Sequence, residues 1–426
     1  MVTKTRWIRG AALLSVGAVA LTACGGNSGG GEDGDVTLQF TWWGSDVRHE
    51  NTEEIIAAFE EENPGITVEG EYGAWSGYWD RLATQAAGGD APDIIQMDEQ
   101  YIREYSDRNA LLDLSDVDTS SFADAAVEGG RTDDGLVAVS LGVVSLATMA
   151  NVEVFEEAGV EVPDDSTWTW EDYAEASQKV TEATGKDIYG AGPQGEPMGL
   201  QIWLRQQGEE LFTEDGELAL TKDKAHEYLD FTGRLRQDGG FPSADYISET
   251  RELGPDNSPF GSNEMAMGTA WATQLTTLAK ASGSELQPLH LPSFAGDFSE
   301  NGAWIKGSMF LSASAETEHP EAAKKFIEFF VNSKEAGEIN GMERGLPANL
   351  DVREMVLEDV SGPEQKAADF IAEVEQQVDD TVPVPPPGFS DFMGIITRHE
   401  TEVLFGRTTT EEAAGEMVEE LKSTLE

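Results

Sequence analysis

Cysteine, histidine and the familiar catalytic signatures are scarce or missing in this chain of 426 residues. The single cysteine, Cys24, excludes an intramolecular disulfide, and the five dispersed histidines argue against a histidine-rich metal site. No G-x-S-x-G elbow between a strand and a helix, no H-E-x-x-H helix and no P-loop occurs. A formal G-x-G-x-x-G, Gly190 to Gly195, contains Pro193 and is followed by Pro197, so we expect no helix to open there as a dinucleotide site requires. We therefore assign no catalytic residue, no metal and no cofactor.

Basic residues are also few. The chain has 27 lysines and arginines against 81 aspartates and glutamates, which gives a net charge of −54. A surface of this sign repels nucleic acid and anionic lipid, so we expect no nucleic-acid partner. Because the acidic excess is scattered along the chain, we interpret it as a solvated surface suited to salty surroundings. Binding of a cationic ligand is the alternative interpretation.

Long apolar runs are confined to the N-terminus. Three basic residues precede the apolar stretch Ala11 to Ala23, and small residues precede Cys24. This pattern is typical of a secretory signal. The stretch has 13 residues, too few to span a bilayer, for which about 20 are needed. We interpret residues 1–23 as a signal peptide and the protein as exported.

The stretch LTAC, Leu21 to Cys24, resembles a bacterial lipobox, in which the cysteine is lipidated and becomes the new N-terminus. A glycine-rich tether, residues 25–35, follows it and would relax to a span of about 18 Å. Residues 24–35 are thus predicted to hold a folded domain at the outer face of the cell membrane. The alternative is that a cysteine follows the signal by chance.

Strand-like and helix-like segments alternate from Val36 onward. The predicted strands are VTLQFTWW, ITVEGEY and PDIIQM, and the segments between them are predicted helices. Alternation at this spacing predicts an α/β fold with a largely parallel sheet. The length that remains after the signal, about 400 residues, is more than one core usually supports, which predicts two domains.

The second half of the chain is more helical. The long uncharged segment Gly135 to Asn151 is interpreted as the first crossing between two lobes. Behind it, Thr169 and Asp172 form a near capping box at a helix start, and a further helix is predicted from His319 to Asn332. The stretch VPVPPPG, Val382 to Gly388, is predicted to be a stiff polyproline connector.

Six stretches occur in an order that is known from one protein family. FTWWGSD, NPGITVE, LATQAAGGDAPDIIQM, MAMGTAWA, HPEAAKKFIEFFVN and ERGLPAN together resemble the extracellular solute-binding proteins of ABC importers, family 1, the cluster typified by maltodextrin-binding protein. The resemblance runs from about Val36 to the C-terminus. The ligands most often found in this cluster are mono- and oligosaccharides.

The resemblance implies an α/β fold of the two-lobed periplasmic-binding-protein type II, in which each lobe is a mostly parallel sheet flanked by helices and hinge strands join the lobes. The lobes are expected at 36–145 with 275–335, and at 146–274 with 336–426. A carbohydrate would be captured by hinge closure over an inter-lobe cleft and delivered to the permease subunits of an ABC importer. A lipid-anchored extracytoplasmic monomer without enzymatic activity is expected.

A sugar site needs aromatic platforms for the apolar C–H faces and a few polar groups for the hydroxyls. In the first strand, alternation places Trp42 on the face of Leu38 and Phe40, and places Trp43 on the opposite face at the carboxyl end. Ligands of α/β sheets bind outside the carboxyl ends of strands. We therefore predict that Trp42 is structural and that Trp43 contacts the ligand.

Residues at strand ends, at turns and at positions matching the family are predicted to contact the ligand: Trp43, Asp46, Arg48, Trp75, Tyr78, Asp98, Glu99, Trp203, Trp271, Trp304 and Arg344. A packing role is the alternative for several of them. Asp46 and Arg48 would instead cap the following helix. Trp203 would be a buried helix residue, and Arg344 would hold its lobe through an ion pair.

Two other functions are compatible with the same residues. A secreted, acidic, tryptophan-rich chain also fits a glycoside hydrolase, which needs two carboxylates about 5 to 9.5 Å apart. Alternatively, the solute is a polyamine, a cation or a peptide, and carboxylates dominate the cleft. Asp98 and Glu99 also fit a solvated loop that contacts no ligand.

Overall fold

The computed structural model describes residues 35–185, 187–192, 196–213, 216–251, 253–254, 257–378 and 383–425. The predicted signal peptide, Cys24 and most of the tether lie outside the described residues. Within these ranges, no helix combines the length and the apolar character needed to cross a membrane.

The strands are β1 Val36–Trp43, β2 Ile66–Gly73, β3 Ile94–Met97, β4 Arg131–Thr132, β5 Gly135–Leu136, β6 Val139–Ser140, β7 Gly142–Val144, β8 Leu146–Asn151, β9 Tyr189–Ala191, β10 Met265–Trp271, β11 Leu286–Leu289, β12 Lys306–Gly307, β13 Phe310–Ala313 and β14 Leu346–Pro347. The helices are α1 Asp46–Glu62, α2 Tyr78–Gly88, α3 Glu99–Asp107, α4 Asp124–Glu128, α5 Val152–Ala158, α6 Trp170–Ala183, α7 Glu196–Arg205, α8 Lys222–Asp238, α9 Ala244–Thr250, α10 Leu275–Ser282, α11 Pro320–Asn332, α12 Lys334–Asn340, α13 Leu350–Leu357, α14 Pro363–Glu375, α15 Phe392–Leu404 and α16 Thr410–Thr424.

The first sheet contains five strands in the order β2–β1–β3–β13–β6. β1 runs parallel to β2 and β3, whereas β13 runs antiparallel to β3 and β6. The three strands predicted at the start of the fold are thus confirmed. Because they are parallel, their last residues, Trp43, Gly73 and Met97, lie along one edge of the sheet.

The second sheet contains four strands in the order β11–β8–β10–β9. β8 runs antiparallel to β10 and β11, and β9 runs parallel to β10. Since β11 pairs with β8, the chain is still in the second sheet at Leu289. This pairing differs from the predicted division, which assigned 275–335 to the first lobe.

Both large sheets are mixed, and the prediction that they are mostly parallel has to be corrected. Parallel pairing joins β1 to its two neighbours and β9 to β10. The prediction rested on βαβ units, in which a crossover helix returns the chain to a parallel strand. β13 instead follows β12 after only two residues and enters the first sheet in the opposite direction.

A third, three-stranded sheet has the order β12–β7–β14 and is antiparallel. The segment predicted as a crossing begins with β5, which pairs with β4 in a separate two-stranded sheet, and then runs through the other three sheets, because β6 belongs to the first, β7 to the third and β8 to the second. Only Ser145 separates β7 from β8, and its carbonyl accepts a hydrogen bond from the Ala272 amide at 2.9 Å. The passage between sheets is therefore short and fixed by backbone hydrogen bonds.

Two helix starts test the reasoning from sequence. At α6 the capping box is confirmed: the Thr169 amide donates to Asp172 Oδ2 at 2.8 Å, and the Asp172 amide donates to Thr169 Oγ1 at 3.2 Å. The prediction that no helix opens around Pro197 is wrong, because α7 begins at Glu196. A proline in the first turn of a helix lacks only an N–H that would have no partner there.

The C-terminal tail completes a helical core. Helices α15 and α16 pack with α7 and α8 around an apolar cluster that includes Trp203, Tyr228, Phe392 and Met417. The largest cluster lies along the two main sheets and includes Phe40.

Trp42 lies in that largest core, as strand alternation predicts. Its ring is fully buried and packs 4.8 Å from the ring of Phe40, centroid to centroid. Its indole N–H donates to His49 Nδ1 at 3.0 Å. Gly70 on β2 makes room for the ring, because a Cβ at this position would lie 2.5 Å from Trp42 Cη2.

Arg344, a predicted ligand contact, is fully buried and joins β3 of the first sheet to helices α1 and α12. Its guanidinium donates to Gln96 Oε1 at 2.9 Å, to Thr52 Oγ1 at 2.8 Å and to Asn340 Oδ1 at 3.1 Å. Burial lowers the pKa of Arg344 well below its ordinary value, and Arg48 adds to this effect. The structure thus gives Arg344 the alternative role of holding its lobe, although its partners are neutral side chains.

Trp42→Ala should lower the free energy of unfolding by about 3 to 5 kcal/mol, because it opens a cavity and removes the hydrogen bond to His49. Trp75→Ala is the control, because it removes a tryptophan side chain that is 42% exposed. It should lower the free energy of unfolding by about 1 kcal/mol or less. Urea unfolding followed by circular dichroism measures both values. Equal losses would contradict the placement of Trp42 in the core.

Arg344→Ala should cost about 3 kcal/mol of unfolding free energy, because it leaves buried acceptors on Gln96 and Thr52 without their donor. Arg234→Ala on the exposed side of α8 serves as the matched control and should change stability by about 0.5 kcal/mol or less. The same urea titration compares the two variants. If both lose equally little, Arg344 does not hold the first sheet together.

Candidate functional site

Five aromatic side chains meet at the carboxyl edge of β1 and β2, and we call them the aromatic cluster: Trp43, Trp75, Tyr78, Trp79 and Tyr101. Trp43 meets Trp75 and Tyr78 edge to face, with ring centroids 5.0 Å apart in both pairs. Trp79 stacks on Tyr101 with centroids 3.6 Å apart. The edge-to-face pairs have a geometry that aromatic rings prefer, so Trp43 and its neighbours support one another.

The aromatic cluster has a buried layer and an accessible layer. Trp43 is 7% exposed, whereas Trp75 is 42% exposed and Trp79 and Tyr101 are half-buried. A ring stacks on a sugar only through an open face. The predicted ligand contact of Trp43 therefore passes to the three rings above it, and Trp43 supports them. Trp79 and Tyr101 are not among the ligand contacts predicted from the sequence.

Tyr78 belongs to the buried layer, contrary to its prediction as a ligand contact. Its hydroxyl donates to the Gln96 carbonyl at 2.7 Å and lies 3.3 Å from the Thr41 carbonyl. Burial raises the pKa of Tyr78 well above its ordinary value. The hydroxyl thus ties α2 to the strands beneath the accessible rings.

The two carboxylates after β3 lie at the start of α3 rather than in a solvated loop. Asp98 caps the helix, and its side chain accepts a hydrogen bond from the Gln100 amide at 3.2 Å. Glu99 Oε1 accepts a hydrogen bond from Lys306 Nζ at 2.5 Å. Burial raises the pKa of Glu99, and the positive charge of Lys306 opposes the rise. Of the two carboxylates, Glu99 is the one that joins distant parts of the chain.

Lys306 connects Glu99 to Trp271. Its Nζ lies 5.1 Å from the centroid of the Trp271 ring, a distance typical of a cation–π contact. Trp271 is the last residue of β10 and is half-buried. One ammonium thus contacts both a helix that follows the first sheet and a ring that ends a strand of the second. Sequence reasoning missed Lys306, because its partner Glu99 lies 207 residues away and no local pattern marks it.

Asp46 and Arg48 lie in the first turn of α1, but neither is its cap. Ser45 caps the helix, and its Oγ accepts a hydrogen bond from the Arg48 amide at 3.3 Å. Asp46 is exposed where a carboxylate favours the helix dipole. Arg48 donates to the Trp43 carbonyl at 3.3 Å and to the Glu343 carbonyl at 3.0 Å. Arg48 therefore fixes the end of β1, and with it the base of the aromatic cluster.

Trp203 and Trp304 belong to other packing groups, contrary to their prediction as ligand contacts. Both are 4% exposed. Trp203 meets Tyr228 in the helical core at 5.9 Å, and the ring of Trp304 has the Arg205 guanidinium 6.0 Å from its centroid. The structure thus supports the alternative that Trp203 is a buried helix residue.

A cavity of about 340 Å³ lies beside the end of β10, within the size range of ligand pockets. Its lining includes Gly192, which follows β9, so the cavity lies at the carboxyl ends of two parallel strands, where ligands of α/β sheets bind. Gln274 also lines it and accepts a hydrogen bond from the Trp271 amide at 3.3 Å. The cavity therefore adjoins Trp271. The sequence does not predict it, because its walls combine residues of β8, β10, α9 and α10 with loop residues that are far apart along the chain.

These groups define what the site can do chemically. The accessible rings can stack on flat apolar faces, and Glu99 with the polar lining of the cavity can exchange hydrogen bonds with hydroxyls. In the part of the chain that the structure describes, no three or more His, Cys, Asp or Glu side chains are grouped to hold a metal ion.

Known proteins are similar to this chain in sequence. A model of the family described as bacterial extracellular solute-binding protein matches residues 54–368. A putative ABC transporter periplasmic-binding protein of Escherichia coli K12 is 25% identical over 357 residues, which cover 78% of each chain. An arabinooligosaccharide-binding protein of Halalkalibacterium halodurans is 29% identical over 202 residues, which cover 44% of this chain and 42% of the relative.

Solved structures show the same architecture. A periplasmic oligogalacturonide-binding protein of Yersinia enterocolitica, solved with saturated digalacturonic acid, is 22% identical and has a TM-score of 0.79 over 92% of this chain and 100% of its own. A periplasmic solute-binding protein of Pectobacterium atrosepticum has a TM-score of 0.81 at the same identity and coverage. Because the family model matches most of its length, this chain belongs to the bacterial extracellular solute-binding proteins, with the two-lobed α/β fold that its sequence predicts.

Proposed function

We propose that this protein captures a sugar or oligosaccharide between the aromatic cluster and Trp271 and presents it to the permease of an ABC importer. The proposal rests on one observation: the aromatic cluster at the first sheet and Trp271 at the end of a strand of the second sheet both lie near the Glu99–Lys306 ion pair. α3 supplies both Tyr101, which belongs to the cluster, and Glu99, whose partner Lys306 lies 5.1 Å from the Trp271 ring. The accessible rings and Trp271 thus lie around the same short helix start.

Sugars match these groups chemically. Their C–H faces are flat and apolar and stack on Trp and Tyr rings, while each hydroxyl needs a donor or an acceptor once it leaves water. Trp75, Trp79 and Tyr101 offer the rings on one side, and Trp271 offers one on the other. The names of similar proteins support this class, because the printed ligands include arabinooligosaccharides and digalacturonic acid.

The hinge in this proposal is the three-stranded sheet with Ser145. Strand pairing supports lobes at 35–144 with 306–357, and at 146–305 with 363–425. The first boundary agrees with the division predicted from sequence, and the others move because β11 pairs with β8 and α12 packs on α1. A ligand that contacts both lobes only when they are closed would shift the population to the closed form.

Hydrolysis of the bound sugar is not part of the proposal. A glycosidase needs two carboxylates free to act as acid and as base or nucleophile. Asp98 is engaged as a helix cap, and Glu99 is paired with Lys306. Relatives and the family model are named as binding proteins. The carboxylates here therefore serve structure and hydrogen bonding.

Trp271→Ala should weaken the binding of neutral oligosaccharides at least about tenfold, because a stacked ring contributes about 1.5 kcal/mol or more. Isothermal titration calorimetry with malto-, arabino- and xylo-oligosaccharides measures the effect. Trp203→Phe, in the helical core, is the control and should bind like the parent.

The same titration includes spermidine and a short peptide as competitors of other chemistry. If Trp271→Ala leaves the affinity for sugars within about threefold of that of the parent, the proposal that Trp271 stacks on the sugar is wrong. If spermidine or the peptide binds and the sugars do not, the protein captures a solute of another class.

We also propose that residues 1–23 direct export and that Cys24 carries a lipid that holds the protein at the outer face of the membrane. The support is the sequence alone: a basic start, an apolar stretch, LTAC and a glycine-rich tether. The family, described as extracellular, agrees with export.

Cys24→Ser should release the protein into the medium, because the lipid attachment site is lost while the signal stays intact. Cell fractionation and immunoblotting of parent and variant measure the distribution. Retention of Cys24→Ser in the membrane fraction would contradict anchoring through this cysteine.

A further inference from the structure

Lys306 occupies an unusual place for a lysine. Only 10% of its side chain is exposed. It lies on β12 opposite Val144, the last residue of β7, while Trp271 lies opposite Leu146, the first residue of β8. Since Ser145 alone separates these two partners, backbone pairing fixes Lys306 and Trp271 next to each other. The position of the ammonium is therefore set by the hinge strands and not by a flexible loop.

Glu99 meets this ammonium with one of its two oxygens. Oε1 accepts the hydrogen bond from Lys306, and the hydrogen bonds among the described residues leave Oε2 without a partner. The side chain of Glu99 is 23% exposed, more than that of Lys306. Asp98, its neighbour, is turned to the Gln100 amide as a helix cap. The ion pair thus leaves one carboxylate oxygen of Glu99 available, and its ammonium lies 5.1 Å from the centroid of the Trp271 ring.

The charges around the pair decide its protonation. Burial raises the pKa of Glu99, Lys306 opposes this rise, and Asp98 adds to it. Burial also acts to lower the pKa of Lys306, but the attraction of Glu99 and Asp98 outweighs it, so the pKa of Lys306 is raised. Without Lys306, burial and Asp98 would both favour the protonated form of Glu99.

We propose that Lys306 is a positioning residue. It holds Glu99 as a carboxylate and directs the free oxygen of Glu99 to a hydroxyl of a sugar whose C–H face stacks on Trp271. The inference rests on the proposed function and deepens it. It makes the acceptor of the site an ion pair that is neutral as a whole, which suits an uncharged polyol. Lys306 has no need to touch the sugar. A purely structural role would predict only that Lys306 joins β12 to α3.

The first test needs no sugar. Glutamate labelled with ¹³C at the side-chain carboxyl is incorporated into the full-length protein, and its resonances are followed against pH. Glu99→Gln identifies the signal of Glu99 by its loss. In Lys306→Met the midpoint of this signal should rise by about one pH unit or more, whereas in Lys306→Arg it should stay near that of the parent. An unchanged midpoint in Lys306→Met would overturn the inference.

The second test measures the affinity for maltotriose, arabinotriose and xylotriose by calorimetry between about pH 5.5 and 9. Lys306→Met should bind at least about tenfold more weakly than the parent at the acidic end and should recover as pH rises, because protonation turns one acceptor oxygen of the carboxylate into a donor. Lys306→Arg should rescue binding. Lys324→Met, which removes a surface ion pair with Asp116, should overlay the parent at every pH.

The outcomes separate the two proposals. If the parent binds none of the three sugars, the proposed function fails for these probes, while the carboxyl titration still decides the role of Lys306. If Lys306→Met binds more weakly by the same factor at every pH, Lys306 is structural and the inference is overturned. If Lys306→Met does not fold, Glu99→Gln decides in its place: binding at least about tenfold weaker than that of the parent at every pH supports the inference, and binding equal to the parent overturns it.

Discussion

The short passage of the chain at Ser145 is the constraint on which the site depends. Backbone pairing on its two sides fixes Lys306 opposite Val144 and Trp271 opposite Leu146, and the Ala272 amide closes the passage by donating to the Ser145 carbonyl at 2.9 Å. A side chain on a paired strand has little freedom of position. The cation and the ring are therefore brought together by the same strands that connect the sheets.

Basic residues are scarce in this chain, and several of them are buried rather than placed on the surface. The chain has only 27 lysines and arginines against 81 acids, yet several of the cations are used in its interior. Arg344 is fully buried, Arg353 donates to both oxygens of Glu375 at 3.0 and 2.8 Å, and Lys306 pairs with Glu99. Burying a cation is costly unless it gains strong local partners. Each of these has them, and the outer surface is left correspondingly more acidic, in agreement with a protein that stays well solvated.

Local patterns predicted local structure well. Alternation located β1 and assigned Trp42 to the core, and the Thr169–Asp172 capping box and the helix before Asn332 were also found where predicted. Patterns of this kind show which face of an element is apolar, and that face is the one buried in the core. They carry no information about which distant element supplies the partner. That is why the role of Arg344, the pairing of β11 with β8 and the contact between Glu99 and Lys306 could not be predicted. The prediction that Pro197 prevents a helix was wrong for another reason, because the effect of a proline depends on its position in the helix.

The two adjacent tryptophans show how a core and a platform are built from one strand. Trp42 is fully buried between sheet and helices, while Trp43 lies beneath rings that are themselves accessible. A platform whose rings are already held edge to face loses little conformational freedom when a ligand arrives, so more of the stacking energy is available for binding. Arg48 and the Tyr78 hydroxyl serve this end by fixing the strand end and α2. In the proposed function the buried layer therefore contributes to affinity without touching the ligand, and loss of Trp43 is expected to disorder the rings of Trp75 and Trp79 as well as to destabilise the fold.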